Sequence, residues 1–293
     1  MKTLLVPTDF SETAISAFRY ALALAEKLHT TEIKLVSVYH EPINFEDSGY
    51  VPALAIEEAK KDCESRLLDF IAVEKINNPN KIKVTYEAIR GYASNHLMEA
   101  AENPDIDMIV MGTTGEHDQA DEWLGTVSIN VAQHAKRPVL LVPTGKKYTG
   151  IEHILYACDF SKADFDLHTE GVVASLAKKL EAEVKVVFVS DGKKDYKTEQ
   201  IVIREIFKLD APKVPLSVEV MENDSTVKAI KEFAVEKDFD LIVVATKQRG
   251  FFDELFHYSI TKELIWHPNL PILIVHAEDW KEGSKKFDAL EIA

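Results

Sequence analysis

The stretch LLVPTDFSETA at residues 4–14 decides the fold, because a buried strand ends and a helix begins within it. The apolar run TLLVPT is bounded by Pro7 and Asp9, as is typical of a parallel strand that is buried on both faces. Ser11 can cap the helix that follows, and Glu12 places a carboxylate in its first turn, where the helix dipole favours negative charge. The turn between strand and helix therefore lies at the carboxyl end of the first strand.

The alternation of strand and helix continues outward from this turn. Apolar residues recur at three- and four-residue spacing in the first helix, which predicts one buried stripe of Ala14, Phe18, Ala21, Ala25 and Leu28. Further strands are predicted at 32–40, 81–89, 107–112 and 138–142, and further helices at 54–76, 93–103 and 124–135. This order predicts a parallel sheet with helices on both faces, since each right-handed crossover must pack back onto the sheet. Ligands of such sheets bind at the carboxyl ends of the strands, near a topological switch point.

The chain contains an internal repeat. LLVPTDFSETA at 4–14 returns as ILYACDFSKAD at 154–164, an offset of 150 residues. DMIVMGTTG at 107–115 returns as DLIVVATKQ at 240–248, and RPVLLVP at 137–143 returns as LPILIVH at 270–276, both at an offset of 133. The second copy is therefore 17 residues shorter between its second strand and its second helix. Three matches in the same order indicate a duplicated domain.

The repeat sets the predicted domain organisation. We predict an α/β protein of two tandem doubly wound domains (Rossmann-like or flavodoxin-like), each a five-stranded parallel sheet with helices on both faces. The first domain spans 1–144 and the second spans 151–277, and the short polar segment TGKKYTG joins them. Residues 278–293 form a charged tail.

Charge and composition exclude several classes of function. The formal net charge of −15 argues against nucleic acid or an anionic membrane as a partner, because both need clustered positive charge. The 2 cysteines, Cys63 and Cys158, lie far from any histidine at metal-ligand spacing and fit a reducing compartment. No signal peptide or membrane span is predicted, so we expect a cytoplasmic protein.

A glycine-containing loop, GTTGEHDQADEWLGT at 112–126, follows the fourth predicted strand. Gly112 and Gly115 let backbone N–H groups turn toward a ligand, and a helix beginning at Gly125 aims its N–H groups at the same point. Thr126 adds a hydroxyl donor. The loop is interpreted either as a phosphate cradle or as a connection whose glycines only make turns.

With these motifs the chain resembles the universal stress protein family. The resemblance rests on the pattern G-x2-G-x9-G-[S/T] before the last helix, on PTDFS after the first strand, and on the closing RPVLLVP. It covers both halves and implies a tandem universal stress protein, with the glycine pattern intact only in the first half. In ATP-binding members the aspartate after the first strand contacts ribose, a residue ending the second strand contacts adenine through its backbone, and the glycine loop holds the phosphates.

Carried over, the resemblance implies an ATP site in the first half. Asp9 would contact ribose and Val38 would contact adenine. The phosphates would lie against Gly112, Gly115, Gly125 and Thr126, and the pocket would be lined by Pro7, Thr8, Met111, Val127 and Ser128. Each role has a structural alternative: Asp9 could brace the turn, Val38 could be ordinary core, and Ser128 could face a polar surface.

The loop is acidic, which is unusual beside phosphate. The carboxylates Glu116, Asp118, Asp121 and Glu122 either bulge into solvent or help to hold a divalent ion such as magnesium. The metal ligands are therefore undetermined. In the second half the glycine positions become Ala245, Gln248 and Tyr258, with Ser259 in place of the threonine, so ATP is not expected there.

Two functions remain open from the sequence. One is an ATP-binding regulatory or stress-response protein whose occupancy changes the surface offered to an unknown protein partner. The other is a nucleotide-free interaction scaffold with the tandem domains as a built-in dimer. No arrangement of serine, cysteine and histidine indicates a nucleophile, so no catalytic residue is predicted. Slow ATP hydrolysis in the first half is the most activity that we expect. The exposed last strands, 138–142 and 271–275, are expected to pair within the chain, and a homodimer is a further possibility.

Overall fold

The structure is a computed structural model and describes residues 1–40, 53–79, 82–113, 125–158, 167–190, 197–222, 230, 233–234, 238–246 and 270–276. The chain divides into two compact units, one of residues 1–135 with 141–148 and one of residues 136–140 with 149–293. Below, the first half means residues 1–148 and the second half means residues 149–293.

The first half alternates strands and helices as predicted. Its elements are β1 (Thr3–Pro7), α1 (Glu12–Lys27), β2 (Glu32–Tyr39), α2 (Ala53–Glu74), a 3-10 turn (Lys75–Asn77), β3 (Lys83–Arg90), α3 (Ala93–Glu102), β4 (Met108–Gly112), α4 (Thr126–His134) and β5 (Val139–Val142). The strand order is β3-β2-β1-β4-β5, with β1 parallel to both β2 and β4. Because the chain moves outward from β1 to β3 and then returns to β4, the switch point lies between β1 and β4.

The second half repeats this topology. Its described elements are β6 (His153–Cys158), α5 (Leu167–Leu180), β7 (Glu183–Ser190), α6 (Lys197–Asp210), β8 (Leu216–Glu222), β9 (Leu241–Thr246) and β10 (Ile272–His276). The strand order is β8-β7-β6-β9-β10, and the pairs of β6 with β7 and β9 are parallel. The same strand order in both halves confirms the predicted α/β fold of two tandem doubly wound domains.

Helix α1 is stabilised by its cap, by the charges in its end turns and by its buried apolar stripe. Ser11 is the N-cap residue, and its side chain accepts a hydrogen bond from the Ala14 N–H at 3.2 Å. Glu12 lies in the first turn and Lys27 in the last, where each charge is favoured by the helix dipole. The predicted apolar stripe is confirmed, since all five of its side chains are buried: Ala14, Phe18, Ala21, Ala25 and Leu28.

An ion pair joins α1 to the carboxyl end of α2. The Glu74 side chain is 3% exposed, and it accepts hydrogen bonds from Arg19 Nε at 2.8 Å and Arg19 Nη2 at 2.6 Å. Asn77 Nδ2 donates a further bond to the same carboxylate at 2.6 Å. A buried carboxylate needs such partners, so these contacts fix where α2 lies against α1.

The carboxyl ends of β1, β2 and β4 lie side by side. Pro7 at the end of β1 is in register with Val36 of β2, and the Thr8 N–H donates to the Val36 carbonyl at 2.8 Å. Gly112 ends β4 on the other side of β1. In the described part of the chain, no helix combines the length and the apolar character that a membrane crossing requires.

Candidate functional site

A cavity of about 530 Å³ lies at the carboxyl ends of β1, β2 and β4. This volume falls within the range of roughly 300–1,000 Å³ that is usual for small-molecule sites. Nine of the residues predicted from the sequence line it: Pro7, Thr8, Asp9, Val38, Met111, Gly112, Thr126, Val127 and Ser128. The switch point of the first half is therefore open to a ligand, as expected for an open α/β sheet.

Two predicted residues are not among the lining residues. Gly125 lies directly before α4 as its N-cap residue, and its N–H donates to the Thr113 carbonyl at 2.7 Å. This N–H is therefore used within the loop and does not face a ligand, which corrects the expectation that the helix offers free N–H groups from Gly125 onward. Gly115 lies outside the described residues, as do the four carboxylates of the insert.

The turn after β1 is held by its own side chains. Asp9 Oδ1 accepts the Ser11 N–H at 3.0 Å, and Thr8 Oγ1 accepts the Phe10 N–H at 3.0 Å. Asp9 also lies on the cavity wall and is exposed. The carboxylate thus braces the turn while it faces the cavity, so bracing and ligand contact are compatible roles for this residue.

Close packing against α1 leaves no room for a side chain at Gly112. A Cβ atom at this position would lie 2.4 Å from Thr13 Cγ2 and 3.1 Å from the Thr13 backbone. The Gly112 carbonyl accepts a bond from Ser128 Oγ at 2.8 Å, and Ser128 is buried. The Ser128 hydroxyl therefore ties the end of β4 to the first turn of α4, and close approach to α1 is a reason for glycine that the spacing of the motif does not reveal.

The first turn of α4 closes the cavity on the side of β4. The Ile129 N–H bonds to the Gly125 carbonyl, which is the first i to i−4 bond of the helix. By helix geometry the N–H groups of Thr126, Val127 and Ser128 have no partner within the helix. These residues line the cavity, so the positive end of the helix dipole lies at its wall, where an anion is favoured.

Helix α2 forms a wall of the cavity that the sequence did not predict. Ala59, Asp62, Cys63 and Arg66 recur at three- and four-residue spacing and all line the cavity. Burial raises the pKa of the Cys63 thiol, and a hydrogen bond with Ser37 and the positive charge of Arg66 oppose the rise only in part. Cys63 is therefore a neutral thiol at physiological pH, which suits a wall residue and not a nucleophile.

Phe10 has an unusual backbone conformation beside this wall. Its φ is 69°, in the left-handed region that non-glycine residues rarely occupy. The Arg66 guanidinium carbon lies 4.2 Å from the centre of the Phe10 ring, and both residues line the cavity. Strained backbone of this kind is concentrated at functional sites.

The described residues offer no cluster of metal ligands. Within the described ranges no group of three or more histidine, cysteine, aspartate or glutamate side chains could hold a metal ion. In the second half, Ala245 lies in β9, whereas Gln248, Tyr258 and Ser259 fall outside the described residues. The expected loss of the second nucleotide site therefore stays a prediction.

Comparisons with known proteins agree with this architecture. The chain matches the model of the Universal stress protein family twice, over residues 1–143 and 150–276. A universal stress protein of Methanocaldococcus jannaschii is 29% identical over 146 residues, which are 50% of this chain and 84% of that protein. A universal stress protein of Mycobacterium tuberculosis is 28% identical over 145 residues, which are 49% of this chain and 97% of that protein.

One similar solved structure spans both halves. The crystal structure of a universal stress protein from Archaeoglobus fulgidus has a TM-score of 0.69, at 21% sequence identity. The match covers 94% of this chain and 96% of that chain. At this identity the likeness establishes a shared fold.

Proposed function

Because both of its halves match the family model, the chain belongs to the universal stress protein family, and we propose that its first half binds ATP in the cavity at β1, β2 and β4. The observation that carries this proposal is the common location of nine predicted site residues around one cavity. These residues come from four separate segments of the chain, 7–9, 38, 111–112 and 126–128, and unrelated segments would not be expected to lie around one space. The ATP-bound protein would act as a regulatory or stress-response protein.

The proposed pose follows from the chemistry of each wall. The N–H groups in the first turn of α4 would hold phosphate oxygens, since they combine free donors with the positive end of a helix. The carboxylate of Asp9 would accept ribose hydroxyl groups, and the backbone at Val38 would contact adenine. A divalent ion, if bound with ATP, would neutralise part of the phosphate charge.

The proposed function is regulatory and not catalytic. The first turn of α4 would bind phosphate, whereas Cys63, the thiol among the described lining residues, is neutral because burial raises its pKa, so we propose no covalent step. ATP would instead order the walls of the cavity and so change the surface that a protein partner meets.

Calorimetry with a cavity-filling variant tests the proposal. Ala59 lies on the α2 wall and is half-buried, so Ala59→Trp should place an indole in the cavity without disturbing a core contact. We expect wild-type protein to bind ATP, with higher affinity in magnesium, and the variant to show no heat of binding. Lys60→Trp is the matched control, because Lys60 lies on the same helix and outside the cavity lining.

The absence of ATP binding by the wild-type protein would contradict the proposal. If wild-type protein gives no heat with or without magnesium, and purified protein carries no nucleotide, the nucleotide-free scaffold is the better account. If Lys60→Trp loses ATP as completely as Ala59→Trp, the effect comes from a disturbed helix and not from a filled cavity.

We also propose that the two halves pair within the chain through their last strands. Within the strand order of each half, β5 and β10 come last. In an isolated half such a strand would leave one row of backbone groups unpaired, which favours association, and one linker keeps the effective concentration of the two strands high. The pair would combine one working nucleotide site with one altered copy that supplies partner surface.

A charge introduced into the buried strand β5 tests the proposed pairing of the two halves. Leu141 in β5 is fully buried, so Leu141→Asp should lower hydrogen-exchange protection in the strands of both halves. Leu5→Asp is the matched control, because Leu5 is equally buried but lies in the central strand β1. If Leu141→Asp leaves the protection of β6 and β9 unchanged, the proposed pairing is wrong.

A further inference from the structure

We infer that Arg66 binds a phosphate group of the nucleotide and that Phe10 positions its guanidinium. This inference rests on the proposed function and adds to it a residue outside the glycine pattern. Arg66 belongs to α2 and lines the same cavity as Asp9 and Thr126. Its role follows from the charge of the cavity, from the way its side chain is held, and from the donors that remain available.

The charge balance of the cavity calls for a cation. Among the described lining residues, Asp9 and Asp62 are the carboxylates and Arg66 is the single lysine or arginine. The whole chain carries a net charge of −15 as well, so its long-range field opposes a polyanionic ligand. Helix α4 contributes only a partial positive charge at its first turn. Arg66 is the described group that can offset this repulsion with a full positive charge inside the cavity.

Aromatic side chains hold Arg66 in place. Phe18 is fully buried in the core, and its ring centre lies 5.1 Å from that of Phe70. Phe70 in turn lies 6.0 Å from Phe10, and the Arg66 guanidinium carbon lies 4.2 Å from the Phe10 ring centre. Edge-to-face contacts of this kind connect the cavity wall to the core. Together with the bond from the Phe10 N–H to Thr8 Oγ1, they hold Phe10 in its left-handed conformation.

The cation–π contact with Phe10 leaves N–H donors of Arg66 available. The ring face attracts the positive charge of the guanidinium and takes none of its five N–H donors as a conventional hydrogen bond. Those donors match the oxygens of a phosphate, to which arginine binds through two parallel hydrogen bonds. The positive charge of Arg66 also acts on Cys63, which places it beside the buried wall of the cavity. An exposed arginine that lines a cavity and is held by an aromatic ring is therefore arranged to bind an anion.

The test compares ATP with adenosine, which has no phosphate. We expect Arg66→Gln to lower the affinity for ATP about tenfold, as for the loss of one charge-assisted interaction, and to change adenosine affinity less than twofold. Arg66→Lys should recover part of the ATP affinity, since it restores the charge but not the planar donors. Phe10→Leu should lower ATP affinity about threefold by releasing the guanidinium. The dependence of ATP affinity on salt should also be weaker in Arg66→Gln than in the wild type.

Lys61→Gln is the matched control, because it makes the same charge change on the exposed face of α2. Its ATP affinity should stay within twofold of the wild type. An equal loss of ATP and adenosine affinity in Arg66→Gln, or an unchanged salt dependence, would overturn the role in phosphate binding while ATP binding itself stands. A wild-type protein that binds neither ligand would overturn the proposed function, and the assignment of Arg66 with it.

Discussion

Replacing Gly112 with alanine is expected to lower the free energy of unfolding of the first half by about 1–3 kcal/mol, the usual cost of overpacking. The added Cβ would lie 2.4 Å from Thr13 Cγ2 and 3.1 Å from backbone atoms of the same residue. Rotation of Thr13 can relieve the first contact but not the second, so β4 or α1 must shift. Thermal unfolding measures the effect, at roughly 2–4 °C in Tm for each kcal/mol. The same shift should weaken ATP binding, because Gly112 also accepts the Ser128 hydroxyl.

Two further variants separate close packing from a general effect of glycine. At Gly171 in α5 a new Cβ would lie 3.6 Å from Asp210 Oδ2, an ordinary van der Waals distance, so Gly171→Ala should stabilise the helix by about 0.5–1 kcal/mol. In the Gly112→Ala background, Thr13→Ser removes Cγ2 but keeps the hydroxyl that bonds to Thr144 at 2.6 Å, and should restore part of the stability. A Gly112→Ala protein as stable as the wild type would show that the loop tolerates a side chain here.

The fold could be predicted from the sequence because its signals are local and repeated. The run before Pro7 predicted β1, and Ser11 predicted the start of α1, since each depends on neighbouring residues alone. The internal repeat predicted the same order of strands and helices in both halves, so the patterns in one half supported those in the other. The domain boundaries stay predictions.

The cavity was only partly predictable, and the reasons are physical. The glycine pattern and Asp9 are marked by residue type, whereas the α2 wall consists of ordinary helix residues. Which face of α2 meets the cavity depends on its packing against β2 and α1, which spacing along the helix does not specify. Phe10 could not be assigned a left-handed conformation, because sterics disfavour it for a residue that is not glycine, and the contacts that hold it are not visible in the sequence pattern. The reason for glycine at Gly112 is likewise a contact with another element.

Replacing Arg19 with methionine is expected to cost about 2–3 kcal/mol of stability. Glu74 would keep its burial, with a side chain 3% exposed, but would lose both bonds that Arg19 donates. Removing one partner of a fully buried pair costs roughly 3–5 kcal/mol, because an uncompensated charge is left inside. The value here is lower because Arg19 is 53% exposed, so water already screens part of the attraction, and because Asn77 still donates to the carboxylate. Denaturant unfolding of the first half measures the change.

The double variant Arg19→Met/Glu74→Met tests whether the loss of stability in Arg19→Met comes from leaving the buried Glu74 carboxylate without its ion-pair partner. It should recover most of the lost stability, since an apolar pair of similar length leaves no charge to bury. Lys61→Met is the exposed control: its ion pair with Glu57 spans 3.7 Å at the surface, so the change should cost no more than about 0.5 kcal/mol. Because Glu74 fixes the end of the helix that carries Ala59 and Arg66, Arg19→Met should also weaken ATP binding, and the double variant should restore it. A double variant as unstable as Arg19→Met would mean that Arg19 acts through packing of its stem and not through the charge of Glu74.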